Sequence, residues 1–248
     1  MKVLKKHPFA VEAFFDFSLV LAYAFPKEIL QERLPAHLTV DNFGEYGFVA
    51  AAMVRTRHLR PKGFPRFLGR NFFLTGYRIF TKYHDQRGKR LRGLYILGSH
   101  TDKHTMKVAG NIFTHYHYVH SPIQWKRDKS TLEVWSETAE PIKKLQVKAL
   151  WPTEETAPLP VHSPFESWKE ARRFAGPLPF TFTYQEEAKQ MTIIEGVRQH
   201  WQPQPVQIEK AQIGFIEAEF PDTTPLLANS FVVQQVPYWW KKGRIEQY

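Results

Sequence analysis

The chain has 248 residues, a formal net charge of +10, and 43% hydrophobic against 23% charged residues, the make-up of an ordinary globular protein. That length buries a sizeable core, and a single domain spanning residues 1–248 is the expected organisation. The absence of cysteine excludes disulfides, thiolate metal centres, iron–sulfur clusters and a cysteine nucleophile, and no apolar run reaches the roughly 18 residues of a membrane span.

Residues 9–25 are rich in Phe, Val, Leu and Tyr and read as a long buried strand. Glu12 and Asp16 interrupt this stretch, so it is no secretory leader, and the expected location is cytoplasmic. Pro26 opens a short helix over 27–34, which Pro35 stops. Strands follow at 38–40 and 48–59, then a Pro- and Gly-rich loop at 61–69 and a strong strand at 71–83. Residues 84–88 form a hairpin turn, with Gly88 supplying the positive φ, and the chain returns over 91–98. Asp102 is the predicted N-cap of a helix at 103–112, in which Gly110 signals close packing. Strands are predicted at 115–120, 130–137 and 145–150, and a helix at 163–174 with a capping box of Ser163 and Glu166. Further strands are predicted at 180–184, 191–201 and 211–220. About ten strands joined mostly by hairpins, with three helices, predict an α+β fold. It is mainly antiparallel and closed into a barrel-like body with the helices outside.

Three groups of residues carry chemistry. Arg78 stands mid-strand between Phe72 and Phe80, on one face with Leu74 and Gly76, where a guanidinium needs a carboxylate from the chain or from a ligand. On a strand, His115 and His117 share one face while Tyr116, Tyr118 and His120 share the other. A His-x-His pair is half of a metal site, but no nearby carboxylate completes it, so neither a metal nor a cofactor is expected. His200 and Trp201 end a strand, where the imidazole can donate to a carbonyl or carboxylate. Nucleophile-elbow, P-loop and dinucleotide motifs are absent, which leaves hydrolase, kinase and dinucleotide readings without support. Basic residues bunch at 55–62 and 86–92, a pattern that suits a solvated face or an anionic partner such as nucleic acid.

The order of several short pieces resembles the YqjF-like family of unknown function, numbered 2071 among such families, a branch of the acetoacetate decarboxylase superfamily. The pieces are Leu30-Gln-Glu-Arg-Leu-Pro35 with Leu38-Thr-Val40, Gly47-Phe-Val49, Asn71-Phe72 with Arg78, Gly93-Leu-Tyr95, and His200-Trp201. The resemblance implies a double β-cone with an enclosed cavity. In the decarboxylases a cavity lysine of lowered pKa forms a Schiff base with a β-keto acid, assisted by a glutamate on the neighbouring strand. Here the lysine pair falls at His117 and Tyr118 and the glutamate at Leu74, with Gly76 at an adjacent polar position. Arg78 alone is kept.

Imidazole and phenol cannot form an imine, so Schiff-base decarboxylation is not expected. The leading expectation is a cavity that binds an oxo acid or similar small anion, with Arg78, His115, His117, Tyr118, His200 and Trp201 as its candidates. A second reading is an enzyme acting on a carbonyl compound, with His117 and Tyr118 as acid–base groups. A third is a basic nucleic-acid-associated protein. A homo-oligomer is compatible with all three.

Overall fold

The structure is a computed structural model that describes residues 7–152, 157–175 and 178–248. Its elements are β1 (Val11–Pro26), α1 (Lys27–Gln31), β2 (Leu38–Val40), β3 (Tyr46–Pro61), β4 (Arg70–His84), β5 (Arg90–Thr101), α2 (His104–Phe113), β6 (Tyr118–His120), β7 (Ile123–Arg127), β8 (Thr131–Ser136) and β9 (Leu145–Leu150). They continue with α3 (Trp168–Ala175), β10 (Phe180–Gln185), β11 (Gln190–Arg198), β12 (Gln204–Pro205), β13 (Ile208–Ile213), α4 (Gly214–Glu219), β14 (Leu226–Trp240) and β15 (Arg244–Gln247).

Seven strands form a ring in the order β14-β1-β3-β4-β5-β10-β11, which the β11–β14 pairing closes. Every step is antiparallel except β5 to β10, which is parallel. A four-stranded antiparallel sheet, β13-β9-β8-β7, lies outside the ring. The mainly antiparallel α+β architecture is thus as expected.

Strand alternation sorts the side chains. On β3, Val49, Ala51 and Met53 pack outward in one cluster with Val134, Val147 and Phe215, which lie on β8, β9 and α4. Ala50, Ala52 and Val54 turn inward and share a second cluster with Val20, Phe80 and Phe231. On β1 the parity reverses: Ala13 and Phe15 belong to the inner cluster, Phe17 and Leu19 to the outer. The reversal coincides with a register shift between Phe15 and Phe17 against β3, the effect expected of a bulge.

Several predicted elements differ. The helix α2 starts at His104, and Asp102 does not cap it: its Oδ1 accepts the Phe73 amide at 2.7 Å instead. The capping box predicted at Ser163 and Glu166 does not form. Ser163 Oγ donates to the Ala228 carbonyl, and the helix α3 begins five residues later, at Trp168. The same Ser-x-x-Glu pattern recurs at Ser167 and Glu170, and there Ser167 Oγ accepts the Glu170 amide. Residues 211–220 are the end of a strand followed by a helix. Ile213, Ile216 and Phe220 are buried at helical spacing. The strand predicted at 115–120 begins only at Tyr118, and the one predicted to reach 201 ends at Arg198. In both places a histidine takes a left-handed φ, 50° at His117 and 56° at His200, which breaks the extended run.

Candidate functional site

A cavity of about 230 Å³ occupies the inside of the ring. Inward residues of β1, β3, β4 and β5 form its wall, and Met106, Ala109, Gly110 and Phe113 of α2 form one face. At another boundary Phe48, Phe80, Phe165 and Phe174 pack ring against ring, carrying the α3 side of the molecule up to the wall.

Arg78 is the charged centre of this wall. No hydrogen bond or ion pair joins its side chain to any described residue, and its Nε is buried without a partner. Burial lowers its pKa, and the nearby phenols of Tyr238, Tyr118 and Tyr116 oppose that shift. An arginine stays charged under such a shift, so the wall presents a cation that no carboxylate of the described residues balances. The side chain retains some accessible surface, consistent with water reaching it through the cavity it lines.

Three tyrosines surround the guanidinium. Burial pushes the Tyr118 phenol up to about 12 and raises those of Tyr116 and Tyr238. All three stay protonated near neutrality and can donate hydrogen bonds. The Tyr116 hydroxyl is near the Thr181 side chain, but completes no hydrogen bond of normal geometry. Trp201 also lines the cavity, with a buried Nε1 that has no hydrogen-bond partner among the described residues, and Arg198 lies 5.5 Å over its ring. Arg198 is itself engaged: it donates to the Leu178 carbonyl at 3.4 Å and bonds Tyr238.

Glycines make room for these groups. A Cβ on Gly76 would meet the Arg78 guanidinium at 2.8 Å, so that head folds back over Gly76. A Cβ on Gly110 would strike the Tyr118 ring at 2.2 Å, and one on Gly196 the Tyr238 hydroxyl at 1.9 Å.

The predicted candidates therefore divide. Arg78, Tyr118 and Trp201 line one cavity. His115 and His117 do not; they line a separate cleft with Tyr95, Tyr184 and Glu186. The expectation that Arg78 shares a concavity with one of these histidines is corrected. Residues 115–117 lie in the turn after helix α2, which directs Tyr116 and Tyr118 to the Arg78 cavity and leaves His115 and His117 to the other cleft. His200 is exposed and outside the cavity lining, again because its φ turns it away from β11. Tyr116, Tyr238, Arg198 and Trp240 were not among the candidates yet line the cavity. Gly196, alone within a strand, was the available signal for Tyr238, since such a glycine marks a close approach.

A family model described as an uncharacterized conserved protein matches residues 15–234. The chain belongs to the DUF2071 family. No curated protein matches it. Among solved structures it is similar to an acetoacetate decarboxylase-like enzyme from Sphingomonas wittichii RW1, at 10% identity and a TM-score of 0.59, covering 97% of this chain and 94% of that one. It is similar to acetoacetate decarboxylase from Legionella pneumophila, at 12% identity and a TM-score of 0.58, covering 96% and 88%. It is also similar to the enduracididine biosynthesis enzyme MppR complexed with pyruvate, at 10% identity and a TM-score of 0.60, covering 96% and 89%. The fold is acetoacetate decarboxylase-like. In this member of DUF2071, Leu74 and Tyr118, two of the positions that the resemblance assigns to the decarboxylase acid and lysines, both line the cavity. Among the described residues, no lysine lines it.

Proposed function

We propose that the cavity binds a small organic anion, an oxo acid or similar carboxylate, through Arg78 and without Schiff-base chemistry. One observation carries the reading: the buried Nε of Arg78 has no partner, and no carboxylate of the described residues lines the cavity that Arg78 faces. Leaving a buried charge unpaired is strongly destabilising, so a guanidinium in this position implies a partner that arrives from outside. The phenols of Tyr116, Tyr118 and Tyr238 supply neutral donors for the remaining oxygens of such a ligand. A neighbour of the same fold, MppR, is complexed with pyruvate.

The two rival readings have less support. His117 lies outside this cavity, so acid–base chemistry on a ligand held by Arg78 falls to tyrosine, whose high pKa suits donation rather than proton abstraction. The basic bunch at 55–62 is partly neutralised within the fold: Arg57 pairs with Asp16, and Arg60 with Glu12 at 2.8 Å.

Calorimetric titration with a panel of short carboxylates and oxo acids tests the proposal. Binding is expected in the wild type, and Arg78→Met is expected to weaken it at least about tenfold, since it removes a cavity-lining guanidinium that has no ion pair among the described residues. Binding that Arg78→Met leaves intact would refute the reading. Borohydride treatment in the presence of acetoacetate is expected to leave the mass of the protein unchanged. A stoichiometric adduct on a lysine would return the chain to imine chemistry.

A further inference from the structure

We infer that the ligand of this cavity is an amphiphilic monocarboxylate of about six to nine carbons, whose apolar tail lies along β3 and β4, and not a three- or four-carbon oxo acid. The inference rests on the anion reading above. It comes from the shape and chemistry of the wall beyond Arg78.

The β3–β4 register sets out that wall rung by rung. Ala50 pairs with Arg78, Ala52 with Gly76, Val54 with Leu74, and Thr56 with Phe72. Every one of these residues lines the cavity except Gly76, whose missing side chain leaves the space that the guanidinium fills. The charged head thus sits at the Ala52–Gly76 rung. In one direction the Phe48, Phe80, Phe165 and Phe174 cluster blocks the way. In the other, the wall continues four residues to Phe72, roughly 13 Å at strand rise. Leu74 and Val54 flank that path, with Ser18 and Phe15 beside it on β1, while Val20 and Phe231 lie level with the guanidinium.

Volume gives the length. The cavity of about 230 Å³ holds on the order of seven or eight groups the size of a water molecule. A three-carbon acid held at Arg78 would not reach the far end of the path and would leave water against Leu74, Val54 and Phe72. An alkyl or small aryl tail displaces that water, with Arg78 fixing the opposite end, the pairing of apolar walls with one placed charge that small-molecule sites use.

The test is a titration series of straight-chain acids from acetate to dodecanoate, with heptan-1-ol as the uncharged control. Affinity is expected to rise about three- to fourfold per methylene, to peak between six and nine carbons, and to fall beyond. Leu74→Phe, which narrows the path, is expected to move the peak to shorter acids. A flat series, or one in which acetate or pyruvate binds tightest, would overturn the inference while leaving the anion reading in place. An unmoved peak in Leu74→Phe would overturn the placement of the tail. Failure of every acid to bind, or heptanol binding as tightly as heptanoate, would overturn the anion reading and this inference with it.

Discussion

Gly76 decides where the Arg78 guanidinium sits. A methyl group there would approach the guanidinium at 2.8 Å, and the atoms it meets are the far end of a flexible side chain. Gly76→Ala should therefore fold normally, and even gain a few tenths of a kcal/mol from reduced chain entropy. It should still weaken anion binding, because the head is pushed out of its place. Thermal melting and titration of the one variant separate the two effects; equal affinity with wild type would show that the position of the head is immaterial. Arg78 itself was legible in the sequence, because an arginine between two phenylalanines on an inward face is chemically out of place. The tyrosines were legible only in part. Tyr116 was grouped with Tyr118, as the cavity lining has it, but the histidine side rather than the tyrosine side was expected to share the space of Arg78. The strand itself was extended too far back, over a turn in which His117 takes a left-handed φ.

Within the elements, β5 carries the clearest response to pH. His100 is 4% exposed, edge-on to Tyr77 of β4 and Phe215 of α4, where it holds that helix against the ring. Burial, then the nearby Lys143 charge, lowers its pKa from 6.5 to about 4. The unfolded chain takes up this proton first as pH falls. The folded state therefore keeps its full stability above pH 6.5 and loses it progressively towards pH 4, by on the order of 3 kcal/mol. His100→Leu should flatten the melting temperature across that window, and an unchanged acid profile would remove His100 as its cause. The elements themselves were unevenly readable. The hairpin at Gly88 forms with φ of 74°, and the long aromatic strands of the first hundred residues stand where their composition predicts. The strand β14 went unseen, because Asn229, Ser230, Gln234, Gln235 and Pro237 interrupt its apolar pattern. Its sequence is set by different neighbours along its length: Ser230 Oγ donates to the Val206 carbonyl at 2.7 Å, and Pro237 lies opposite Phe14. Two-sided burial of that kind obscures the period-two signal.

For the whole molecule, closure of the ring is the feature that hairpin counting could only suggest. The antiparallel class followed from local turns, but the β11–β14 contact and the parallel β5–β10 step join segments with no sequence signal in common. The β1–β14 seam is the longest-range of these joints, pairing Val11 with Trp240 and Val20 with Phe231. Hairpins such as β3–β4–β5 can form locally, whereas the seam must wait for the loop-closure entropy of nearly the entire chain to be overcome. Val232→Ala, at a fully buried position on β14, should therefore speed unfolding and leave the refolding rate nearly unchanged, as a denaturant chevron would register. A slowed refolding limb would instead place the seam in the folding nucleus. During synthesis β1 emerges early with one edge unmatched, and its partner is made more than two hundred residues later. Until then Arg78 remains in water. Its charge is enclosed only when β14 docks on β1 and β11, so the closing of that seam is also the step that creates the need for an anion.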